Sequence, residues 1–141
     1  MTKIIAEIGW NHMGDIKLAK EMILQAKKNG ADLVKTQVFN TKYLKNGPWD
    51  KDGRREIYKK AELNKQKLKK LYDYAKKIKC TFFASAMSIE DAILIKEINN
   101  DFIKIPSMES RNISLINYCS RNFKNIIISS GTSKFNEILN S

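Results

Sequence analysis

The chain has 141 residues, 43% hydrophobic and 29% charged, with a formal net charge of +11. That length and balance suit one domain with a real core and exclude a disordered chain. No apolar run approaches the ~20 residues of a membrane span, and Lys3 leads into Ile4-Ile5-Ala6-Glu7 without the apolar core of a signal peptide, so a cytoplasmic, membrane-free protein is expected.

In chain order, Lys3–Gly9 is a short apolar strand followed by Trp10-Asn11-His12-Met13-Gly14. Asp15 then suits the N-cap of an amphipathic helix whose buried stripe is Leu18, Ala19, Met22, Ile23 and Ala26, with a stop at Asn29-Gly30. Asp32–Phe39 reads as a second strand with Lys35 and Gln37 on one face. Asn40–Leu63 is a long connection holding Asn46-Gly47-Pro48, Trp49 and Arg54-Arg55, far longer than the ~2–6 residues usual for such loops, and is expected to be a mobile loop over a substrate site. Trp49 suits the apolar face of a sugar, and Arg54 and Arg55 suit its hydroxyl or acetamido oxygens. The competing reading has Trp49 packing on the scaffold.

Asn64 caps a second helix with Leu68, Leu71, Tyr72, Ala75 and Ile78 inward, and Cys80–Met87 is the third strand. Ser88 with Asp91 resembles a capping box for a helix to about Asn99. Phe102-Ile103-Lys104-Ile105-Pro106-Ser107-Met108-Glu109 is an apolar strand interrupted by Lys and closed by Ser and Glu, where an ammonium is costly unless paired or used. A helix over Ile113–Asn122, a strand over Asn125–Gly131 and the beginning of a last helix complete the chain. Cys80 and Cys119 match neither a metal nor a redox spacing and are expected to be buried thiols. The lysines fall mostly on outer helix faces without a nucleic-acid signature, so no specific nucleic-acid partner is expected.

Strands alternating with helices imply a parallel sheet with right-handed crossovers. An open doubly wound sheet and a (β/α)8 barrel compete. Glu7, Lys35, Ser85, Lys104 and Ser129 fall toward the C-terminal ends of different strands, with Ser107 and Glu109 just beyond. A barrel gathers its strand ends at one mouth, whereas an open sheet concentrates its site at a switch point, so a TIM-barrel type fold, incomplete at about five βα units, is favoured. Lysines and hydroxyls at one mouth suit a phosphate or carboxylate, and Glu7 and Glu109 are the acid/base candidates. A plain salt bridge between Glu7 and Lys35 remains open.

Ala6-Glu7-Ile8-Gly9-Trp10-Asn11-His12-Met13-Gly14-Asp15, Val34-Lys35-Thr36-Gln37, Glu62-Leu63, Phe102-Ile103-Lys104-Ile105-Pro106-Ser107 and Ile128-Ser129-Ser130-Gly131-Thr132 resemble, in order and spacing, the N-terminal barrel domain of N-acetylneuraminate (sialic acid) synthases. The resemblance covers essentially the whole chain. It implies that residues 1–141 are the N-terminal part of such a barrel, with the remaining strands and an antifreeze-like domain absent. It also implies condensation of phosphoenolpyruvate with N-acetylmannosamine or a related amino sugar to a sialic acid or related nonulosonic acid, with phosphate release. Lys35, Ser85, Lys104, Ser107 and Ser129 would then hold phosphoenolpyruvate, Gln37 would face the sugar, and Glu7 and Glu109 would be acid/base or orienting groups. A divalent metal, Mn2+ or Mg2+, is implied for the full-length enzyme, as is a homo-oligomer.

The departures are Ala84-Ser85-Ala86-Met87 in place of a Ser-Thr-Pro-like run, and Pro106 and Met108 where relatives often have small residues. The family's metal-binding histidines belong to later strands. His12 is the single histidine here, one histidine makes no metal site, and it is expected to be a loop hydrogen-bonding group. Two classes of function follow: a sialic-acid-type synthase whose short chain is inactive alone, or a noncatalytic barrel piece that binds anions or self-associates through open edges.

Overall fold

A computed structural model describes residues 2–44, 46–131, 133–134 and 136. Thr132 of the last matching block and most of the final helix expected from the sequence lie outside the described residues. The chain divides into two compact units, Met1–Phe83 and Ala84–Ser141. Its strands form a five-stranded sheet in the order β1-β2-β3-β4-β5, namely β1 (Ile5–Gly9), β2 (Leu33–Val38), β3 (Thr81–Ala86), β4 (Phe102–Ile105) and β5 (Asn125–Ile128). The pairs β1–β2, β3–β4 and β4–β5 are all parallel. With helices α1 (Ile16–Lys28), α2 (Arg54–Ala61), α3 (Lys65–Lys77), α4 (Ile89–Lys96) and α5 (Ile113–Asn122) between strands, this is an α/β chain of (β/α)8 type with an open, incomplete set of strands.

Short polar side chains start the helices. Asp15 accepts from the amides of Lys17 and Leu18, Asn64 from Lys67, Ser88 from Asp91, and Asn112 from Leu115. Each such cap contributes about 1 kcal/mol by satisfying amides that have no partner within the helix. In the first unit Ile23 of α1, Val34 and Val38 of β2, and Leu68 and Leu71 of α3 are fully buried. The second unit buries Ile95, Ile103, Ile105, Leu115 and Cys119. Full burial of such an aliphatic side chain contributes about 1.5–3 kcal/mol. Both cysteines are buried and free. Burial raises both thiol pKa values, that of Cys119 to about 11, so they act as small apolar side chains.

The structure corrects the sequence reading in three places. Leu18 is exposed, because the buried face of α1 centres on Ala19 and Ile23, one turn apart, and Leu18 lies about 100° round the helix from Ala19. The last strand ends at Ile128, so Ser129 follows it, still tied to β4 by its amide to the Ile105 carbonyl at 3.1 Å. The sequence reading placed no helix within the Asn40–Leu63 connection, but one is there. The connection holds 3-10 turns at Thr41–Tyr43 and Pro48–Asp50 and the whole of α2.

Candidate active site

In the first unit, β1 and β2 place Glu7 opposite Lys35 in register, so both side chains leave the same face of the sheet. The two form an ion pair in which the Lys35 side chain is 6% exposed and that of Glu7 42%. The register slips between Glu7 and Gly9, leaving Ile8 as an extra residue: a β-bulge. Gly9 is left-handed at φ +54°, and its amide donates to Glu7 Oε1 at 2.8 Å. The carboxylate is therefore gripped by a backbone amide and by a buried ammonium. Gln37, two residues beyond Lys35, is half-buried, and its amide nitrogen lies 4.0 Å from where a Gly9 Cβ would stand. The salt bridge left open by the sequence is present, and its Glu7 end reaches solvent.

Above these strand ends lies the long connection. The Tyr58 ring of α2 meets Trp10 edge-on at 5.4 Å between centroids and Phe39 at 6.1 Å. Glu62 accepts from the Thr41 amide at 2.7 Å and from the Thr41 hydroxyl. Arg55 pairs with Asp50 and donates to the Thr41 carbonyl at 2.8 Å. Arg54 is turned outward and pairs with Asp52 at 2.6 Å, which holds that exposed carboxyl below its usual range. The Trp49 indole lies over Gly47, where a Cβ would come within 2.4 Å of the ring. Arg55 and Glu62, rather than Arg54, thus tie the connection down. The sequence offered Arg54 and Arg55 alike as sugar contacts, and nothing in a run of two arginines shows which one faces inward.

In the second unit, Ser85 of β3 stands opposite Lys104 of β4, and Lys104 opposite Ile127 of β5. Ser85 is buried and Lys104 half-buried on the shared face. Past β4, Ser107 begins a 3-10 turn through Glu109. Glu109 Oε2 accepts from Asn112 Nδ2 at 2.8 Å, and the Asn112 Oδ1 in turn caps α5, so the helix start orients this carboxylate. Gly131 is left-handed at φ +59° and approaches so closely that a Cβ there would lie 2.7 Å from that of Ser107. Around these two residues is an open cavity of about 360 Å³ whose lining includes Ser107, Ser110, Arg111, Ser130, Gly131 and Ser133. Four hydroxyls and one guanidinium supply donors for an anion. Arg111, Ser110 and Ser133 escaped the sequence reading, since polar residues in a loop carry no periodicity that marks a lining position.

His12 is fully buried in the turn after β1 and accepts from the Gly14 amide through Nδ1 at 3.0 Å, which makes it the hydrogen-bonding loop residue expected. Among the described residues no group of three His, Cys, Asp or Glu is placed to hold a metal ion.

Parallel βα units with ionisable and hydroxyl side chains at the C-terminal strand ends define an α/β scaffold of the kind that builds anion-handling enzyme sites. The chain belongs to the NeuB family, whose model matches residues 22–141. It is 33% identical over 147 residues to a pseudaminic acid synthase of Helicobacter pylori, covering 96% of this chain and 43% of that protein. It is 35% identical over 138 residues to the N-acetylneuraminate-9-phosphate synthase of Mus musculus, covering 91% of this chain and 38% of that protein. The crystal structure of N-acetylneuraminic acid (sialic acid) synthetase from Leptospira borgpetersenii, in complex with citrate, superposes with a TM-score of 0.85 at 30% identity, over 97% of this chain and 47% of that one. The chain thus spans less than half the length of these relatives. Among the described residues no helix is long and apolar enough to cross a membrane.

Proposed function

We propose that this chain serves condensation of phosphoenolpyruvate with N-acetylmannosamine or a related N-acetylated amino sugar, giving a sialic or related nonulosonic acid and phosphate. Membership of a family whose named relatives are synthases of such acids is the observation that carries this reading. Lys35, Ser85, Lys104, Ser107 and Ser129 are assigned to the phosphate and carboxylate of phosphoenolpyruvate, as point charges and hydroxyl donors. The half-buried Lys104 beside Ser85 and the serine-lined cavity at Ser107 support the assignment. Glu7 and Glu109 are assigned to acid/base or orienting work, Gln37 to the sugar, and Trp49 and Arg54 to sugar contacts from the long connection.

The reaction joins the enol carbon of phosphoenolpyruvate to the open-chain aldehyde carbon of the sugar. The developing positive charge at the phosphate-bearing carbon is stabilised by a neighbouring carboxylate, water adds there, and phosphate leaves. Glu7, paired with Lys35 and bonded by the Gly9 amide, suits that task. A divalent metal belongs to the proposal for a longer protein only. The described residues offer no cluster that fits one, so no step is routed through it. A cytoplasmic homo-oligomer without a nucleic-acid partner completes the reading.

The test is calorimetric titration of the full-length protein with phosphoenolpyruvate, comparing the parent with Lys104→Ala. Removing one partner of a buried charged contact is expected to weaken binding by about 2–5 kcal/mol. Equal affinity of parent and variant would remove Lys104 from the site. Turnover of Glu7→Gln tests the carboxylate separately, with a large fall in kcat expected.

A further inference from the structure

The ring of His12 is fully buried, although it sits in a loop. Its Nδ1 accepts from the Gly14 amide at 3.0 Å, so that nitrogen carries no proton and the neutral ring carries its proton on Nε2. Nε2 lies 3.5 Å from Thr36 Oγ1, at the long limit of a hydrogen bond, and that hydroxyl donates its own proton to the Gly9 carbonyl at 2.7 Å. The lone pairs of Thr36 Oγ1 are thereby left for the imidazole N–H. On the other side of the same glycine, the Gly9 amide grips Glu7 Oε1 at 2.8 Å. The glycine is left-handed and closes the bulge at Ile8, a backbone device that re-aims a neighbouring side chain. The line of contacts therefore runs from His12 through Thr36 and Gly9 to Glu7, all inside the first unit.

We propose that His12 is a positioning residue for Glu7, its neutral ring acting through Thr36 and Gly9 to hold the bulge that aims the carboxylate. The inference rests on the acid/base reading of Glu7. The groups around the ring fit it. From its own loop Asp15 favours a charged ring, whereas burial and Lys67 of α3 both oppose one, so the ring's pKa is lowered and it stays neutral near pH 7. The carbonyl of Lys60 in α2 packs on Gly14, and the Glu7–Lys35 pair lies on the far side of Thr36. Protonation would put a hydrogen on Nδ1, against the Gly14 amide, and a charge in a buried site.

Amide hydrogen exchange of the 141-residue chain, followed by NMR, separates positioning from plain turn closure. His12→Asn keeps an oxygen near the Nδ1 position for Gly14 but loses the N–H toward Thr36, and Thr36→Val removes the hydroxyl. Both are expected to lower the protection factor of the Gly9 amide about tenfold, the scale of one net hydrogen bond, with Gly14 protection retained. His12→Gln, which extends an N–H toward Thr36, is expected to restore Gly9. In the unmutated chain, whose only histidine is His12, Gly9 protection should fall together with the titration of that one imidazole as pH drops. Unchanged Gly9 protection in both His12→Asn and Thr36→Val overturns the proposal, and so does a Gly9 amide indifferent to the imidazole titration. The titration decides alone if the variants do not fold. Full turnover in Glu7→Gln would sink the acid/base reading instead and leave the Gly9 result standing.

Discussion

Replacing Asp91 by Asn should make the protein more stable at neutral pH and flatten the pH dependence of its stability. Asp91 is 4% exposed at the third position of α4, where its carboxyl accepts from the Met87 amide at 3.3 Å and its amide donates to Ser88 Oγ at 3.1 Å. Burial, aided by Glu90, pushes its pKa from 3.8 to about 6 against the lowering effect of hydrogen bonds from Ser88 and the Met87 amide. A raised carboxyl pKa means that the unfolded chain loses its proton first. The site's contribution is therefore intact below pH ~4, declines as pH rises through the folded value, and is missing above pH ~6.5. About two pH units at about 1.4 kcal/mol each give a loss of roughly 3 kcal/mol. The uncharged Asn retains an oxygen for the Met87 amide and has no such slope. Urea unfolding of both proteins from about pH 4 to pH 8 should show equal stability at the acid end and a gap widening to about 3 kcal/mol in favour of the variant. A gap that does not change with pH, or an Asn variant less stable at pH 8, would show that the helix N-terminus and the donors keep the carboxylate ionised when folded, and would refute the reasoning.

Other outcomes follow from the same geometry. Gly14→Ala should cost at least about 3 kcal/mol in chemical denaturation, because its φ is +77° and a Cβ would stand 2.2 Å from the Lys60 carbonyl oxygen. Gly30→Ala, left-handed but with open space around it, should cost only about 1 kcal/mol; equal costs would show that the clash relaxes. Arg55→Ala should speed proteolytic cleavage within residues 41–53 and Arg54→Ala should not, since only Arg55 reaches the Thr41 and Leu44 carbonyls. In the full-length protein, truncating Trp49 and Arg54 should raise the KM for the sugar with little effect on phosphoenolpyruvate; equal loss for both substrates, or none, assigns the pair to packing. The 141-residue chain alone should release no phosphate from phosphoenolpyruvate and N-acetylmannosamine with Mn2+ or Mg2+, and sustained turnover in a coupled assay would overturn that.

The alternation of strands and helices was legible in the residues because backbone periodicity and caps are local: Asp15, Asn64 and Ser88 announce their helices by chemistry that reaches only three residues ahead. The run of residues also determined the family, since matching blocks need only order and spacing. It identified Lys104 as a charge in an apolar strand, where an unpaired ammonium is costly, and it offered a Glu7–Lys35 salt bridge as the plain alternative to a catalytic Glu7. Tertiary structure decided the rest. Whether Leu18 or Ala19 faces inward depends on where the neighbouring helix lies, a difference of one residue that both the pattern and the apolar character of Leu allowed. Trp49, Arg54 and Arg55 looked alike as loop residues, and only folding separated a ring seated on Gly47 and an outward ion pair from the arginine that ties the connection. The His12–Thr36–Gly9–Glu7 line joins residues on β1, its loop and β2, and exists because a bulge of one residue brings Gly9 opposite Thr36. Register of that kind comes from pairing between distant segments, which no local pattern encodes.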